Sequence, residues 1–284
     1  FLLLPPLQPF LDLWIGVLIL AVSGYLVVTA ESPPLAFCVF SVSGVLGLFT
    51  LAHQYLSWIG LGTSAILMPL LSGLFGIPVL LTAGRGGIPA QRFSGIALER
   101  KGIVFQSLLG SVAGAVVGWL PGLSTATANA LLASVIRYEG DRRGYLLAAS
   151  ASNTANAFLG LAALYAISRT RNGVMAALAL TELPPFSSIL LAGCLAACAA
   201  YLITIRLGSS AARLSVLGSP HLQAGVIAFV VLLSFLLCGP YGLFILVLAT
   251  AVGLVPSFLN VPRLFCMGAV MVPVMVFSLG LVVL

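Results

Sequence analysis

The sequence predicts an all-α integral membrane protein, a polytopic helical bundle that contains broken or re-entrant helices. Its 284 residues are 61% hydrophobic and 6% charged, whereas soluble domains carry about 25% charged residues. The apolar runs are long and rich in Leu, Ala and Gly without strict alternation, which favours helices over an outer-membrane barrel. Prolines interrupt two of these runs, 103–136 and 173–206, and such paired breaks are typical of inverted-repeat membrane proteins. We therefore expect residues 1–284 to form a single transmembrane domain.

The first third of the chain contains three apolar runs. Residues 11–30 and 35–52 are each long enough to cross a hydrocarbon core, which takes about 20 residues of helix. The segment 31–34 (Glu-Ser-Pro-Pro) between them is expected to be a turn, because proline lacks a backbone donor and the residue before it avoids the helical region. The third run, 56–81, is either one kinked span or a hairpin. Its helix-breaking residues are Pro69, Gly73, Gly76 and Pro78.

The helix predicted over 103–120 carries a stripe of glycines. Gly110, Gly114 and Gly118 recur every four residues, so they lie on one helix face, where a second helix can approach closely. Packing against another helix is the role that we assign to this stripe.

A break follows this helix at Pro121-Gly122, and Ser124 or Thr125 is well placed to cap the helix that restarts. A helix that starts inside a membrane directs free N–H groups and about half a positive charge at its surroundings, which suits an anion. The competing interpretation is a loop outside the membrane with Trp119 at the interface. The segment WLPGL is too apolar for a solvated turn, which favours a buried break.

Uncharged polar side chains cluster around this break, although no charge occurs from Gly102 to Ile136. Hydrogen-bonding groups at membrane depth are costly unless they find partners or line a wet cavity. Further hydroxyls in the same stretch and in the next helix are Thr127, Ser150 and Thr154. The residues predicted to bind substrate are Pro121, Gly122, Ser124, Thr125, Asn129, Ser152, Asn153 and Asn156.

The basic residues predict an orientation in the membrane. If 103–137 is a hairpin with both ends on one side, the Arg-rich loops share one face, which the positive-inside rule makes cytoplasmic. These loops lie around 82–102, 137–143 and 206–219. Arg169 and Arg171 fall on the opposite face. We expect Arg171 to line the substrate pathway, because a guanidinium group matches carboxylate and phosphate, and an interfacial arginine that extends to water is the alternative.

The second interrupted run, 173–206, breaks at Pro184-Pro185 just after Glu182, the last acidic residue of the chain. If a helix runs inward from Gly173, its rise of about 1.5 Å per residue places Glu182 about 14 Å deep. There it would act in coupling, as a carrier of a proton or cation. The alternative is a surface segment with a solvated Glu182. The remaining runs, 220–237, 241–259 and 264–284, are predicted to be ordinary spans.

The sequence does not predict an enzyme. Its five cysteines lie inside apolar runs without a CxxC pair, and His53 and His221 are predicted to be interfacial. We find no metal cluster, catalytic dyad or phosphate loop in the sequence, so we expect no metal and no cofactor other than a coupling ion, H⁺ or Na⁺. The net charge of +6 comes from arginines in loops, so nucleic acid is not an expected partner.

Several motifs in the middle of the chain resemble a known family. LPGLSTATANALL, ASNTANAF, GLFGIPVLL and IPAQ are similar to sequences of the large membrane subunit of tripartite tricarboxylate transporters, a TctA-type permease. The likeness is strongest to stand-alone archaeal-type members and spans roughly 70–173. The Pro-Gly motif of the family corresponds to Pro121-Gly122, and its downstream asparagine pair corresponds to Asn153 and Asn156.

This resemblance implies two inverted repeats, each with a Pro-Gly hairpin, around a carboxylate site driven by an ion gradient. It also implies a small membrane subunit and an external binding protein as partners, besides the membrane lipids. Only one clear Pro-Gly hairpin occurs in the chain. The other repeat is therefore expected to precede Phe1 or to survive as the degenerate segment GLFGIP.

Three classes of function follow from the sequence. The leading class is secondary-active membrane transport of an organic anion of the carboxylate class. The second is translocation of a polyprenyl-phosphate or another anionic lipid carrier, because a re-entrant hairpin with a polar tip also suits a phosphate. The third is a non-transporting membrane scaffold.

Overall fold

The computed structural model describes residues 4–58, 63–82, 98–119, 124–136, 142–168, 170, 173–179, 181–210 and 220–280. Every regular element in these ranges is helical. Five helical segments there are long and apolar enough to cross a membrane. The prediction of an all-α, polytopic membrane protein is therefore confirmed.

The α-helices of the described ranges are α1 (Leu4–Val28), α2 (Pro33–Ala52), α3 (Thr63–Leu71), α4 (Ile77–Thr82), α5 (Arg100–Trp119), α6 (Thr125–Ile136), α7 (Arg142–Ile167), α8 (Gly173–Ala179), α9 (Phe186–Ser210), α10 (Pro220–Leu259) and α11 (Gly268–Ser278). Two 3₁₀ turns, Gln54–Leu56 and Arg263–Met267, and one π-helical turn, Ser72–Gly76, complete the regular structure of these ranges.

The chain divides into two compact units. The first unit comprises 1–15 and 89–212, and the second comprises 16–88 and 213–284. Helices α5 to α9 thus belong to the first unit, and α2, α3, α4, α10 and α11 belong to the second, while α1 contributes residues to both. The prediction that 1–284 form a single transmembrane domain stays a prediction.

In the second unit, α2 packs closely against the segment that carries α11. Proline at the start of α2 is compatible with the helix, because the first N–H groups of a helix have no partner within it. A Cβ atom at Gly47 would overlap the backbone of Ala269, so glycine is required at this contact. The Ser43 hydroxyl donates a hydrogen bond of 3.2 Å to the carbonyl oxygen of Phe265.

Within the predicted run 56–81, the described residues 63–82 form one span with a local irregularity and not a hairpin. Helix α3, the π-helical turn and α4 follow one another without a break, so the irregularity lies at the turn. It brings Gly73 against α10, where an added Cβ would lie 2.6 Å from the Cβ of Ala249. A Cβ at Gly253 of α10 would overlap the carbonyl oxygen of Leu74 in the same turn.

Helix α10 reverses its direction at Gly239, whose φ of 67° and ψ of −155° are not helical. The Ser234 hydroxyl lies 3.5 Å from the sulfur of Met68, and a Cβ at Gly73 would lie 2.8 Å from the carbonyl oxygen of Leu246. In a straight helix Ser234 and Leu246 would be about 18 Å apart. The residues that they contact, Met68 and Gly73, are only about 8 Å apart along α3 and the π-helical turn. The two predicted spans 220–237 and 241–259 are the arms of this bent element.

Candidate functional site

Helix α5 of the first unit packs its glycine stripe against α7. A Cβ atom at Gly110 would overlap the carbonyl oxygen of Ala148, and one at Gly114 would overlap that of Ser152. Any side chain at these positions would push the two helices apart. The packing role that the sequence predicted for the stripe is therefore confirmed.

The order of these contacts shows that α5 and α7 run in the same direction, because the partners ascend along both helices. The last glycine of the stripe continues the order, since a Cβ at Gly118 would lie 3.2 Å from Asn156 Oδ1. A chain that leaves the end of α5 must therefore return before α7 begins. Helix α6 is the returning segment, and its 12 residues are about 18 Å long. Helices α5 and α6 form the predicted hairpin.

The hairpin ends partway along α7. Helix α5 ends at Trp119, one residue after Gly118 and thus close to the level of Asn156. Beyond Asn156, α7 continues to Ile167, which adds about 16 Å of helix. The N-terminal ends of the two parallel helices, away from the tip, carry basic residues: Arg100, Lys101, Arg142 and Arg143.

The tip of the hairpin carries the start of α6. Pro121 and Gly122 lie outside the described residues. Helix α6 begins at Thr125, with Ser124 in the capping position, and the backbone N–H of Ala128 donates a hydrogen bond of 3.2 Å to the Ser124 carbonyl oxygen. The N-terminal end of a three-turn helix therefore lies at the tip.

Three polar atoms near this tip are buried without a hydrogen-bond partner among the residues that the structure describes. They are Thr127 Oγ1 and Asn129 Oδ1 on α6 and Ser152 Oγ on α7. Thr127 and Ser152 are fully buried, with relative exposures of 0%. Leaving a buried oxygen unpaired typically costs about 1–3 kcal/mol. A protein retains such groups where a ligand or water supplies the missing partner.

The two predicted asparagines of α7 lie in different surroundings. Asn156 is half-buried against the end of α5. Asn153 is exposed. Asn156 and Ser152 thus lie where α7 meets the glycine stripe of α5, and α6, which carries Asn129, also packs against α7, whereas Asn153 lies on an open face of α7.

A separate cavity of about 590 Å³ lies between α7, α8 and α9 of the same unit. Its walls are mostly apolar, and they include Phe158, Met175 and Gly193. Thr154 lines it with the other residues of α7, although its hydroxyl already donates a hydrogen bond to the Ser150 carbonyl oxygen. The cavity therefore offers volume and apolar contact and little hydrogen bonding.

The geometry expected for Glu182 was wrong. No continuous helix leads from Gly173 to Glu182, because α8 ends before it and the described segment 181–185 is not helical. The Tyr165 hydroxyl donates a hydrogen bond of 2.6 Å to the Pro184 carbonyl oxygen, which holds this segment near the C-terminal end of α7. Glu182 itself is exposed. These observations favour the alternative of a solvated surface residue.

The arginines expected near the substrate pathway, Arg171 and Arg169, lie outside the described residues.

Thr127 was noted among the hydroxyls of the sequence but was not among the residues predicted to bind substrate. Ala128 and Leu132 are buried and lie four residues apart, so they mark the inward face of α6. Thr127 is adjacent to this face, and the apolar spacing is the signal that could have identified Thr127. Within the described ranges, no group of three His, Cys, Asp or Glu residues is placed to hold a metal ion.

A comparison with known families agrees with the motif resemblance. The family model described as "Tripartite tricarboxylate transporter TctA family" matches residues 2–268. No curated protein matches the chain, and no solved structure matches it.

Proposed function

The chain belongs to the tripartite tricarboxylate transporter TctA family, and we propose that it is the membrane permease of a secondary-active transporter for an organic anion of the carboxylate class. The observation that carries this proposal is the polar cluster at the tip of the α5–α6 hairpin. Buried oxygens without a partner among the described residues lie close to the start of α6, and the sequence carries no charge from Gly102 to Ile136.

The length of α5 supports a tip at membrane depth. From Gly102, just after the basic end, to Trp119, the helix rises about 25 Å, and the hydrocarbon core is about 30 Å thick. Helix α7 continues past the tip and is long enough to complete the crossing. A substrate that reaches the tip would therefore be shielded from water. Hydrogen bonds to its charged groups are stronger in such a site than in water.

The residues at the tip suit a carboxylate. The free N–H groups in the first turn of α6 donate to anions, and the helix adds about half a positive charge. Pro121-Gly122 directly precedes this turn in the sequence, and Ser124, Thr125 and Asn156 would provide side-chain hydrogen bonds to the substrate. Asn153 and Arg171 would contact substrate on its way to or from the tip.

The family suggests the partners, and the positive-inside rule suggests the orientation. We assign the Arg-rich ends of α5 and α7 to the cytoplasmic side, and we expect a small membrane subunit and an external binding protein to complete the system. Helix α9 fits a role at the periphery, because none of its residues from Phe186 to Gly208 is buried. Such an apolar face would meet lipid or the small subunit.

The test is uptake by purified protein in proteoliposomes, with labelled mono-, di- and tricarboxylates and an inward Na⁺ or H⁺ gradient. We expect accumulation of at least one carboxylate and a loss of apparent affinity of tenfold or more in Asn156→Ala. Ser150→Ala is the control, because its exposed hydroxyl donates a hydrogen bond to the Leu146 carbonyl oxygen of its own helix. If no carboxylate accumulates under either gradient, the proposal is wrong.

One observation favours a second candidate, the translocation of an anionic lipid carrier. The cavity between α7, α8 and α9 has apolar walls and enough volume for part of a lipid chain. Gly193→Phe would fill it, because a Cβ there already lies 3.3 Å from the ring of Phe158. If this substitution abolishes translocation of a labelled polyprenyl-phosphate that the wild type transports, the lipid function replaces the carboxylate one.

A further inference from the structure

A polar cavity of about 640 Å³ lies where several helix ends of the second unit meet. It is formed by the segment that joins α1 to α2, by the C-terminal end of α10 and by the start of the 3₁₀ turn Arg263–Met267. The polar side chains that line it are Thr29, Glu31, Ser257, Asn260 and Arg263. In a protein that spans a membrane, the ends of apolar helices lie at the level of the lipid headgroups.

Two hydroxyl groups hold the Arg263 side chain in place. Its Nη2 donates hydrogen bonds of 2.7 Å to Thr82 Oγ1 and 2.8 Å to Ser257 Oγ. A guanidinium group has five N–H donors, and those on Nη1 and Nε have no partner among the described residues. Because Nε is enclosed by protein, Nη1 is the nitrogen that can meet a ligand. Arg263 is therefore a positioned cation with donors available for a phosphate.

The same cavity also carries negative charge. The sequence of the second unit, 16–88 and 213–284, contains three arginines and only one acidic residue, Glu31. Glu31 is exposed, and the hydrogen bonds of Arg263 to described residues go to hydroxyls and not to this carboxylate. The C-terminal ends of α1 and α10 add the partial negative charge of their carbonyl groups. These groups would repel a simple anion, whereas a ligand that carries both charges would suit the whole cavity.

An apolar groove of about 110 Å³ continues from the cavity between α2 and α10. Leu259 of the groove directly precedes Asn260 of the cavity, and α2 begins two residues after Glu31. From Leu259 to Val252 the groove extends about 10 Å along α10. Its other lining residues are Cys38, Val39, Val42 and Val255. The side chains of Val42 and Val255 are 53% and 40% exposed, so the groove opens outward, where lipid chains lie.

We propose that the cavity and the groove form a binding site for one phospholipid whose headgroup carries a primary amine. The lipid phosphate accepts hydrogen bonds from Arg263 Nη1, the ammonium group lies near Glu31, and one acyl chain fills the groove. An anionic headgroup would place no cation beside Glu31, and a choline headgroup has no N–H group to donate. The site is independent of the substrate proposed above, because it needs only a membrane around the second unit.

Thermal unfolding of the purified protein in detergent tests this site. Phosphatidylethanolamine, phosphatidylglycerol and phosphatidylcholine with identical acyl chains are titrated separately, and inorganic phosphate is titrated in a fourth series. A ligand that binds only the folded state raises the unfolding temperature with a saturable dependence on its concentration. We expect phosphatidylethanolamine to saturate at a concentration at least tenfold lower than the other two lipids. Inorganic phosphate, which cannot fill the groove, is expected to cause no rise.

Two variants with matched controls separate the headgroup from the acyl chain. Glu31→Gln is expected to abolish the preference for phosphatidylethanolamine, whereas Glu182→Gln, which removes an exposed acid of the first unit, keeps it. Val42→Trp fills the groove, so we expect a half-saturating concentration at least tenfold higher. Val45→Trp is its control, because Val45 is 65% exposed on the same helix and does not line the groove.

Several outcomes would overturn the proposal. They are equal saturation by the three lipids, tighter binding of phosphatidylglycerol, and an equal rise with inorganic phosphate. A preference for phosphatidylethanolamine that survives Glu31→Gln, or unchanged binding in Val42→Trp, would overturn it as well. Arg263→Gln is expected to abolish the rise with every lipid. If that variant does not fold without its two hydrogen bonds, Glu31→Gln and Val42→Trp decide, because both of their positions are exposed.

Discussion

The two compact units of this protein treat their buried hydroxyls in opposite ways. In the second unit, all the buried hydroxyls that the structure describes donate to a backbone carbonyl: Ser23 to Leu20, Ser43 to Phe265, Thr50 to Leu46 and Ser234 to Val230. In the first unit, the two described ones, Thr127 and Ser152, have no partner among the described residues. An unpaired buried hydroxyl is destabilising, so Thr127 and Ser152 lower the stability of the first unit. The paired hydroxyls of the second unit carry no such cost.

Helix packing does not account for this difference. Both units bring helices together through glycines that lie against a neighbouring backbone, Gly47 in the second unit and Gly114 in the first. The contrast is confined to hydroxyl groups, because the second unit also holds two buried atoms without a partner among the described residues, Gln54 Oε1 and Arg263 Nε. The second unit pairs its buried hydroxyls within the protein, while the first keeps two of them available for a ligand.

The largest effect is expected from Gly114→Leu, which would push α5 and α7 of the first unit apart. Its side chain would overlap the Ser152 carbonyl oxygen, and overpacking of a rigid contact costs about 1–3 kcal/mol or more. Gly102→Leu is the matched control on the same helix, because nothing lies within 4 Å of a Cβ there. Thermal unfolding in detergent measures both. Equal stability of the two variants would contradict the α5–α7 register.

The next effect is expected from Gly239→Ala in the second unit. A non-glycine residue at φ 67° and ψ −155° is strained by about 1–3 kcal/mol, and a Cβ there would lie 2.8 Å from the ring of Trp58. We therefore expect a lower unfolding temperature for this variant. Gly225→Ala is the control, since its helical position is open and alanine favours helix. A stable Gly239→Ala variant would mean that α10 does not reverse there.

A smaller effect separates the two kinds of hydroxyl directly. Thr50→Val removes a partnered hydroxyl, so we expect a loss of about 1 kcal/mol of unfolding free energy. Thr127→Val removes a hydroxyl without a partner among the described residues, so we expect no loss or a small gain. Denaturant or thermal unfolding measures the pair. A loss of equal size in both variants would remove the contrast between the units.

The smallest effect is expected from Glu182→Gln. The residue is exposed in a non-helical segment, and surface substitutions usually change stability by less than about 0.5 kcal/mol. We also expect gradient-driven accumulation to persist, because Glu182 is exposed and lies outside the α5–α6 hairpin. Uptake across Na⁺ and H⁺ gradients provides the measurement. If accumulation stops while binding of substrate remains, the coupling role returns to Glu182.

Local chemistry made much of the fold predictable. The start of α2 follows from two prolines, the gap between α8 and α9 from Pro184-Pro185, and the separate arms of α10 from the Gly239-Pro240 pair. The glycine stripe predicted a close helix contact. It did not reveal that α7 is the partner, because four-residue spacing specifies a face and not what lies on it.

The site was predictable only in outline. The sequence alone determined that a charge-free, proline-broken hairpin carries hydroxyls and amides, since composition and spacing are local properties. Only the tertiary structure decided which of them find partners. Ser150 and Ser152 are two residues apart on one helix. The exposed Ser150 hydroxyl bonds its own helix backbone, whereas the Ser152 hydroxyl is buried near Gly114 without a partner among the described residues. A residue's type states what bonds it can make, whereas the packing of neighbouring helices decides which bonds remain to be made by a ligand.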